Sequence, residues 1–151
     1  MTNVEIREMC EKDLYMVLMI ENQCFISPWL KADILTDWKY NQYSRWLVIL
    51  VDDVVAGFID YWITFDSATI CQIAIQKGYR RLGLASKLLE EMFKDCYAEK
   101  VRNITLEVRG GNEAAISLYK KYGFKFVVSK EGYYSDGEDA YYFVKEVNIN
   151  G

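Results

Sequence analysis

The chain has 151 residues, 52% hydrophobic and 26% charged, with a net charge of −4 and no histidine. That length and apolar fraction suit one soluble globular domain over residues 1–151, and no apolar run approaches a membrane span. The missing histidine excludes Ser-His-Asp and Cys-His catalysis and His-based zinc sites, and the acidic balance argues against a nucleic-acid-binding surface. Met1 to Met9 carries charges and no apolar h-region, so a cytoplasmic location is the default expectation. Cys10, Cys24, Cys71 and Cys96 are scattered without a Cys-x-x-Cys pair and read as thiols rather than a disulfide frame.

The opening NVEIREM alternates like a short strand. Leu14, Val17, Leu18 and Glu21 then fall at helical spacing, which predicts an amphipathic helix over Glu11 to Phe25, stopped by Ser27-Pro28. LKADILTDW reads as a second short helix. SRWLVILV and VVAGFIDYWI, separated by Asp52-Asp53, read as a hairpin, and ATICQIAI follows as a third strand after a turn near Phe65 to Ser67. Leu84 to Ala98 is a helix by propensity and by the spacing of Leu84, Leu88, Leu89, Met92 and Phe93. NITLEV is a strand, and Asn112 to Tyr122 is a helix ending at a C′ glycine, Gly123. Strands around Phe124 to Ser129 and Ala140 to Val147 flank a Tyr-Tyr and Gly-rich turn. Antiparallel runs with two strand–helix crossovers define a mixed α+β sheet protein.

Two dense patches stand out. In IQKGYRRLGLASKLLEEMF, two arginines meet a Gly-Leu-Ala step just where a strand gives way to a helix. Neither a Walker loop nor the dinucleotide fingerprint is present. The first N–H groups of a helix lack internal partners and sit at its positive end, so Arg80-x-x-Gly83-x-Ala85 can bind an anion; it can equally be a solvated helix start. In LEVRGGNEAAISLYKKYGF, alternation puts Ile104, Leu106 and Val108 on one strand face and Thr105, Glu107 and Arg109 on the other. Asn112 and Tyr119, seven positions apart, share one side of the next helix, which could set Glu107 and Tyr119 across one cleft. The plainer alternatives are a solvent-facing Glu107, a core Tyr119 and an N-cap Asn112.

Together these blocks, CQIAI, Arg80-x-x-Gly83-x-Ala85, LEVR, Asn112 and LYKKYGF, resemble the GNAT superfamily of N-acetyltransferases along essentially the whole chain. LEVR..N.AAI.LY...GF and the late YY......DA are most similar to its RimI-type ribosomal-protein alanine N-acetyltransferases. The resemblance implies the GNAT fold: a twisted, mostly antiparallel mixed sheet of about seven strands, about four helices and a splayed central strand pair. It also implies acetyl-CoA as cosubstrate and no metal. By that match Ile73, Ala74 and Ile75 hold the pantetheine arm through their backbone. Arg80, Arg81, Leu82, Gly83, Leu84, Ala85 and Ser86 hold the pyrophosphate, and Asn112 is a further cofactor contact. Glu107 matches the general base, and Tyr119 the acid that protonates the leaving thiolate beside the cofactor. Gly110-Gly111 is looser than the family pattern and reads as a mobile turn.

The implied acceptor is the N-terminal alanine of a small-subunit ribosomal protein. A small amine (polyamine, aminoglycoside or amino acid) and a non-catalytic CoA-binding module are the other readings. Tyr133, Tyr134, Tyr141 and Tyr142 with Asp136, Glu138 and Asp139 form an acidic aromatic segment suited to a cationic peptide terminus, or a hairpin packed on the sheet. Tyr134 is the candidate peptide wall, and Trp29 lines the same entrance or packs in the core. No nucleic-acid or membrane partner is expected, and the sequence leaves monomer and dimer equally open.

Overall fold

A computed structural model describes residues 2–147; the ends of the span expected as one domain lie outside them. The alternating segments become β1 (Val4–Glu8), β2 (Ser44–Val51), β3 (Val54–Thr64), β4 (Ser67–Ile75), β5 (Asn103–Arg109), β6 (Lys125–Lys130) and β7 (Ala140–Glu146). They form a seven-stranded sheet in the order β1-β2-β3-β4-β5-β7-β6, antiparallel throughout except for the parallel pair β4–β5. Asp52 and Asp53 take left-handed φ of 48° and 70°, the twist-matched geometry of a two-residue hairpin between β2 and β3.

Four helices flank the sheet: α1 (Leu14–Cys24), α2 (Lys31–Leu35), α3 (Leu84–Ala98) and α4 (Glu113–Lys121). The apolar spacing of α3 sends Leu84, Leu88, Leu89, Met92 and Cys96 into one core layer, joined from β5 by Ile104, Leu106 and Val108. Each large aliphatic so buried stabilises by about 1.5–3 kcal/mol. The other layer packs Val17 and Ile20 of α1 and Ile34 of α2 on Trp46, Phe58 and Ala74.

Two helices differ from the sequence expectation at their ends. The segment from Glu11 opens as a 3-10 turn (Glu11–Asp13), where Asp13 accepts from the Cys10 N–H at 2.8 Å and from Arg7 at 2.7 Å. α2 runs on into a π turn, Thr36–Tyr40, which brings Asp37 under the indole N–H groups of Trp46 and Trp62, each 2.8 Å away. On α1 the buried residues are Val17, Ile20 and Glu21, and Glu21 has no exposed surface at all. All four cysteines are free, and Cys96 alone is fully buried.

One irregularity positions everything that follows. Between the pairs Asp60↔Gln72 and Tyr61↔Ile70, β4 carries an extra residue, Cys71. This bulge flips the alternation of the strand. Ala68 and Ile70 face the α3 layer, whereas Ala74 faces the α1 layer.

Candidate active site

The parallel pairing of β4 with β5 begins at Ser67↔Asn103 and ends at Ile70↔Leu106. Thr69 and Thr105, with hydroxyls 3.1 Å apart, form a side-chain rung just before that end. Beyond it Ile73, Ala74 and Ile75 pair with β3 alone, and Glu107 to Arg109 pair with β7 alone. The two strands therefore splay, and half of the N–H and C=O groups on that stretch of β4 face the split rather than a ladder partner. Gly57 permits the close approach of β3 to this segment, since a Cβ there would lie 2.6 Å from the Ala74 carbonyl oxygen.

At the far end of β4 the chain makes a short turn, Lys77–Tyr79, and then enters α3. Arg81 and Gly83 take left-handed φ of 66° and 75°. A Cβ on Gly83 would meet nothing within 4 Å, so its φ, not crowding, calls for glycine. Leu84 anchors the helix in the core while Arg80, Arg81, Leu82 and Gly83 are exposed. Among the described residues the N–H groups of Leu84, Ala85 and Ser86 have no acceptor, while that of Lys87 bonds the Gly83 carbonyl at 3.2 Å. Arg80 leans back onto the strand end: its Nε donates to the Ile75 carbonyl at 3.3 Å, and the Cys24 thiol donates to the same oxygen at 3.3 Å. Free helix-start donors, two exposed guanidinium groups and an unladdered strand edge fit a pyrophosphate carrying an amide arm.

Glu107 is the first β5 residue past the last β4–β5 pair, and alternation turns it away from the α3 layer. Its Oε2 accepts from the Lys130 ammonium at 2.6 Å and its Oε1 from the Tyr133 hydroxyl at 3.4 Å. Tyr119 lies in the α3 layer, 5% exposed, edge-on to Phe124 with centroids 5.6 Å apart. Burial holds its phenol well above the ordinary range, so it stays protonated. The carboxylate at the split and the phenol in the α3 layer thus lie on opposite faces of the sheet, with no direct hydrogen bond between them.

Asn112 caps α4, its Oδ1 accepting from the Ala115 N–H at 3.2 Å. Trp29 packs edge-on against Trp46 at 6.2 Å, which in turn stacks on Phe58 at 5.5 Å, so its contacts are those of the α1-side core. Tyr134 lies beneath the Arg109 guanidinium, 4.0 Å from ring centroid to Cζ. Tyr141 packs edge-on to Phe126 at 5.5 Å, the sheet-packing alternative.

Three carboxylates of the acidic rim are engaged within the chain. Arg109 binds Asp136 and Glu138 together, each at 2.9 Å, and Asp139 accepts from the Gly132 N–H at 2.9 Å. Those charges tie down the β6–β7 loop. The Gly110-Gly111 turn is closely packed. A Cβ on Gly110 would come within 3.0 Å of the Tyr141 ring, and one on Gly111 within 2.6 Å of Glu138 Oε2, which accepts from the Gly111 N–H at 3.0 Å. Sequence reasoning missed Lys130 and the clamping role of Arg109. Only the strand alternation that set Arg109 on the Glu107 face hinted at the latter.

A splayed parallel strand pair, an anion-ready helix start and an accessible carboxylate at the split fit a CoA-dependent acyltransferase architecture. Residues 14–124 match the family model described as the Acetyltransferase (GNAT) family. The chain belongs to the GNAT acetyltransferase family, and it is an acetyl-CoA-dependent acetyltransferase. A Bacillus subtilis protein provisionally assigned as a ribosomal protein bS18-alanine N-acetyltransferase is 37% identical over 150 residues, covering 99% of this chain and 98% of its own. The ribosomal protein bS18-alanine N-acetyltransferase of Escherichia coli strain K12 is 33% identical over 133 residues, 85% of this chain and 87% of that one. Among solved structures, the Escherichia coli ribosomal-protein-S18-alanine N-acetyltransferase superposes with a TM-score of 0.90 at 28% identity, covering 99% and 97% of the two chains. Ard1 from Thermoplasma volcanium does so at 0.88 and 31%, covering 96% and 98%.

Proposed function

We propose that this enzyme acetylates the α-amino group of an N-terminal alanine on a small-subunit ribosomal protein. The observation that carries the reading is Glu107, an accessible carboxylate at the strand split that already holds an ammonium at 2.6 Å. The relatives whose own names specify bS18 alanine support the choice of acceptor. With that acceptor comes a cytoplasmic location, where ribosomal proteins are made.

The residues divide the work as follows. Arg80, Arg81 and the N–H groups of Leu84 to Ser86 would hold the pyrophosphate of acetyl-CoA, and the split-facing backbone of Ile73 to Ile75 its amide arm. Bound there, acetyl-CoA supplies a thioester carbonyl open to attack by a neutral amine. An α-amino group ionises near 7.7–8.0 and a lysine near 10.4, a gap of about 2.5 units or roughly 3.4 kcal/mol at neutral pH. One carboxylate therefore suffices as base for a protein N-terminus, and Glu107 takes that proton directly or through water. Backbone N–H groups of Ile73 to Ile75 face the charge that develops on the carbonyl oxygen. Tyr119, kept protonated by burial, delivers a proton to the departing thiolate.

The test is CoA release measured against peptides with different N-terminal residues and against polyamines, aminoglycosides and free amino acids. The highest kcat/KM is expected for alanine-terminated peptides. A preference for a small amine replaces this reading with a small-molecule acetyltransferase.

A further inference from the structure

The ammonium on Glu107 is the chain's own. Lys130 Nζ lies 2.6 Å from Glu107 Oε2, 5.3 Å from the Tyr133 ring centroid and 5.5 Å from that of Tyr142. A carboxylate with two aromatic faces within about 6 Å is the chemistry that recognises an alkylammonium. Tyr142 stands directly opposite Glu107 in the β5–β7 register, so carboxylate and ring stay together whatever occupies the space between them. Lys130 ends β6, where its backbone pairs with Ala140. Its side chain is 43% exposed, so it can swing into solvent on its flexible stem with no change of backbone.

We propose that the Lys130 ammonium is an internal stand-in for the acceptor amine: it fills the Glu107–Tyr133–Tyr142 position in the free enzyme, and the incoming amine must displace it. This rests on the role proposed for Glu107. The contact keeps the carboxylate paired between turnovers and acts as a tethered competitor of every acceptor. An exposed ion pair is weak, so the competition amounts to a roughly two- to five-fold weakening of acceptor binding. Lys130 is itself a poor nucleophile, because its hydrogen bond to Glu107 raises its pKa and an ammonium has no lone pair to attack with.

Kinetics of Lys130→Met with an alanine-terminated peptide and with butylamine decide the matter. A tethered competitor acts on all acceptors alike, so KM falls and kcat/KM rises for both by the same roughly two- to five-fold factor. A KM that rises, or that shifts for one acceptor only in a variant of unchanged Tm, overturns the proposal. So does acetylation of Lys130 found by mass spectrometry after incubation with acetyl-CoA. Should the unaltered enzyme turn over no amine, the proposed function has failed, and binding judges the stand-in instead. Butylammonium chloride is then titrated against the ring resonances of Tyr133 and Tyr142. Tighter binding to Lys130→Met sustains the stand-in, and equal binding removes it.

Discussion

The Arg109 guanidinium lies over the Tyr134 ring, its Cζ 4.0 Å from the centroid, while gripping Asp136 and Glu138 of the same loop. One side chain of β5 thereby fixes the β6–β7 loop against the strand that carries Glu107. Only 16% of it is exposed, so these charge-assisted bonds are partly shielded from water. Arg109→Met should release the loop and raise the acceptor KM by about ten-fold, the scale of one lost charged hydrogen bond. Acetyl-CoA affinity should stay as it was. Arg109→Lys should recover little, because a lysine cannot bind two carboxylates and stack at once. An acceptor KM unmoved in Arg109→Met would show that the loop does not shape the acceptor site.

Tyr119→Phe removes a hydroxyl and leaves the ring against Phe124. Since general acid catalysis contributes about 10²–10⁴-fold, turnover should fall by at least about 10² with acetyl-CoA binding little changed. Single-turnover kinetics with titrated cofactor separate the two quantities. Equal turnover in the variant would assign the proton to another donor.

Gly83 and Arg81 separate strain from charge at the start of α3. A side chain at the left-handed Gly83 costs about 1–2 kcal/mol, so Gly83→Ala should lower Tm and disturb the helix-start donors, raising the acetyl-CoA Kd. Arg81→Gly should relieve its own left-handed φ and raise Tm slightly, yet also raise that Kd through lost charge. Isothermal titration beside thermal melts reads both. If Kd follows Tm in the two variants, the arginine charge plays no part.

Stability should fall toward alkaline pH. Burial pushes Glu21 up to about 7 and Asp60 up to about 9, the latter with help from the Asp37 charge. Among the described residues Glu21 Oε1 and Asp60 Oδ2 have no hydrogen-bond partner, so a charge there would be left uncompensated. Both folded-state values exceed the ordinary carboxyl range, so the folded protein binds more protons than the unfolded chain from about pH 4.5 to 7 for Glu21 and on to about 9 for Asp60. Stability therefore decreases as pH rises through that window, by about 1.4 kcal/mol per pH unit for each group. Urea midpoints should drop between pH 6 and 9, and Asp60→Asn should flatten the slope. A flat midpoint would mean that both groups are already ionised in the fold across that range.

What the sequence disclosed and what it hid follow from the range of the forces involved. α3 begins and ends where its apolar spacing predicts, because five buried residues on one stripe and a left-handed Gly83 are local signals. The Asp52-Asp53 hairpin is local in the same way. The Cys71 bulge carries no such mark, since both alternations around it look regular and only the partner strand exposes the extra residue. The pinning of Gly111 by Glu138, and the engagement of Glu107 by Lys130, join positions 27 and 23 residues apart. Charge composition reports that Asp136 and Glu138 are acidic but not that Arg109 has claimed them.

The extra residue in β4 makes that strand sensitive to length rather than to identity. The Cys71 thiol is half-buried and accepts no proton-transfer duty, its ionisation suppressed by burial, so serine or alanine should be tolerated there. Deleting the residue is another matter. Without it Tyr61↔Ile70 and Asp60↔Gln72 would become consecutive rungs of a regular ladder, with Ile70 still in the α3 layer and Gln72 still toward the Glu21 carboxylate, 2.8 Å away, but the kink would be gone. The strand would then be free to zip onward against β5 and seal the opening. Among relatives of this fold, position 71 should therefore vary freely in side chain and almost never be missing.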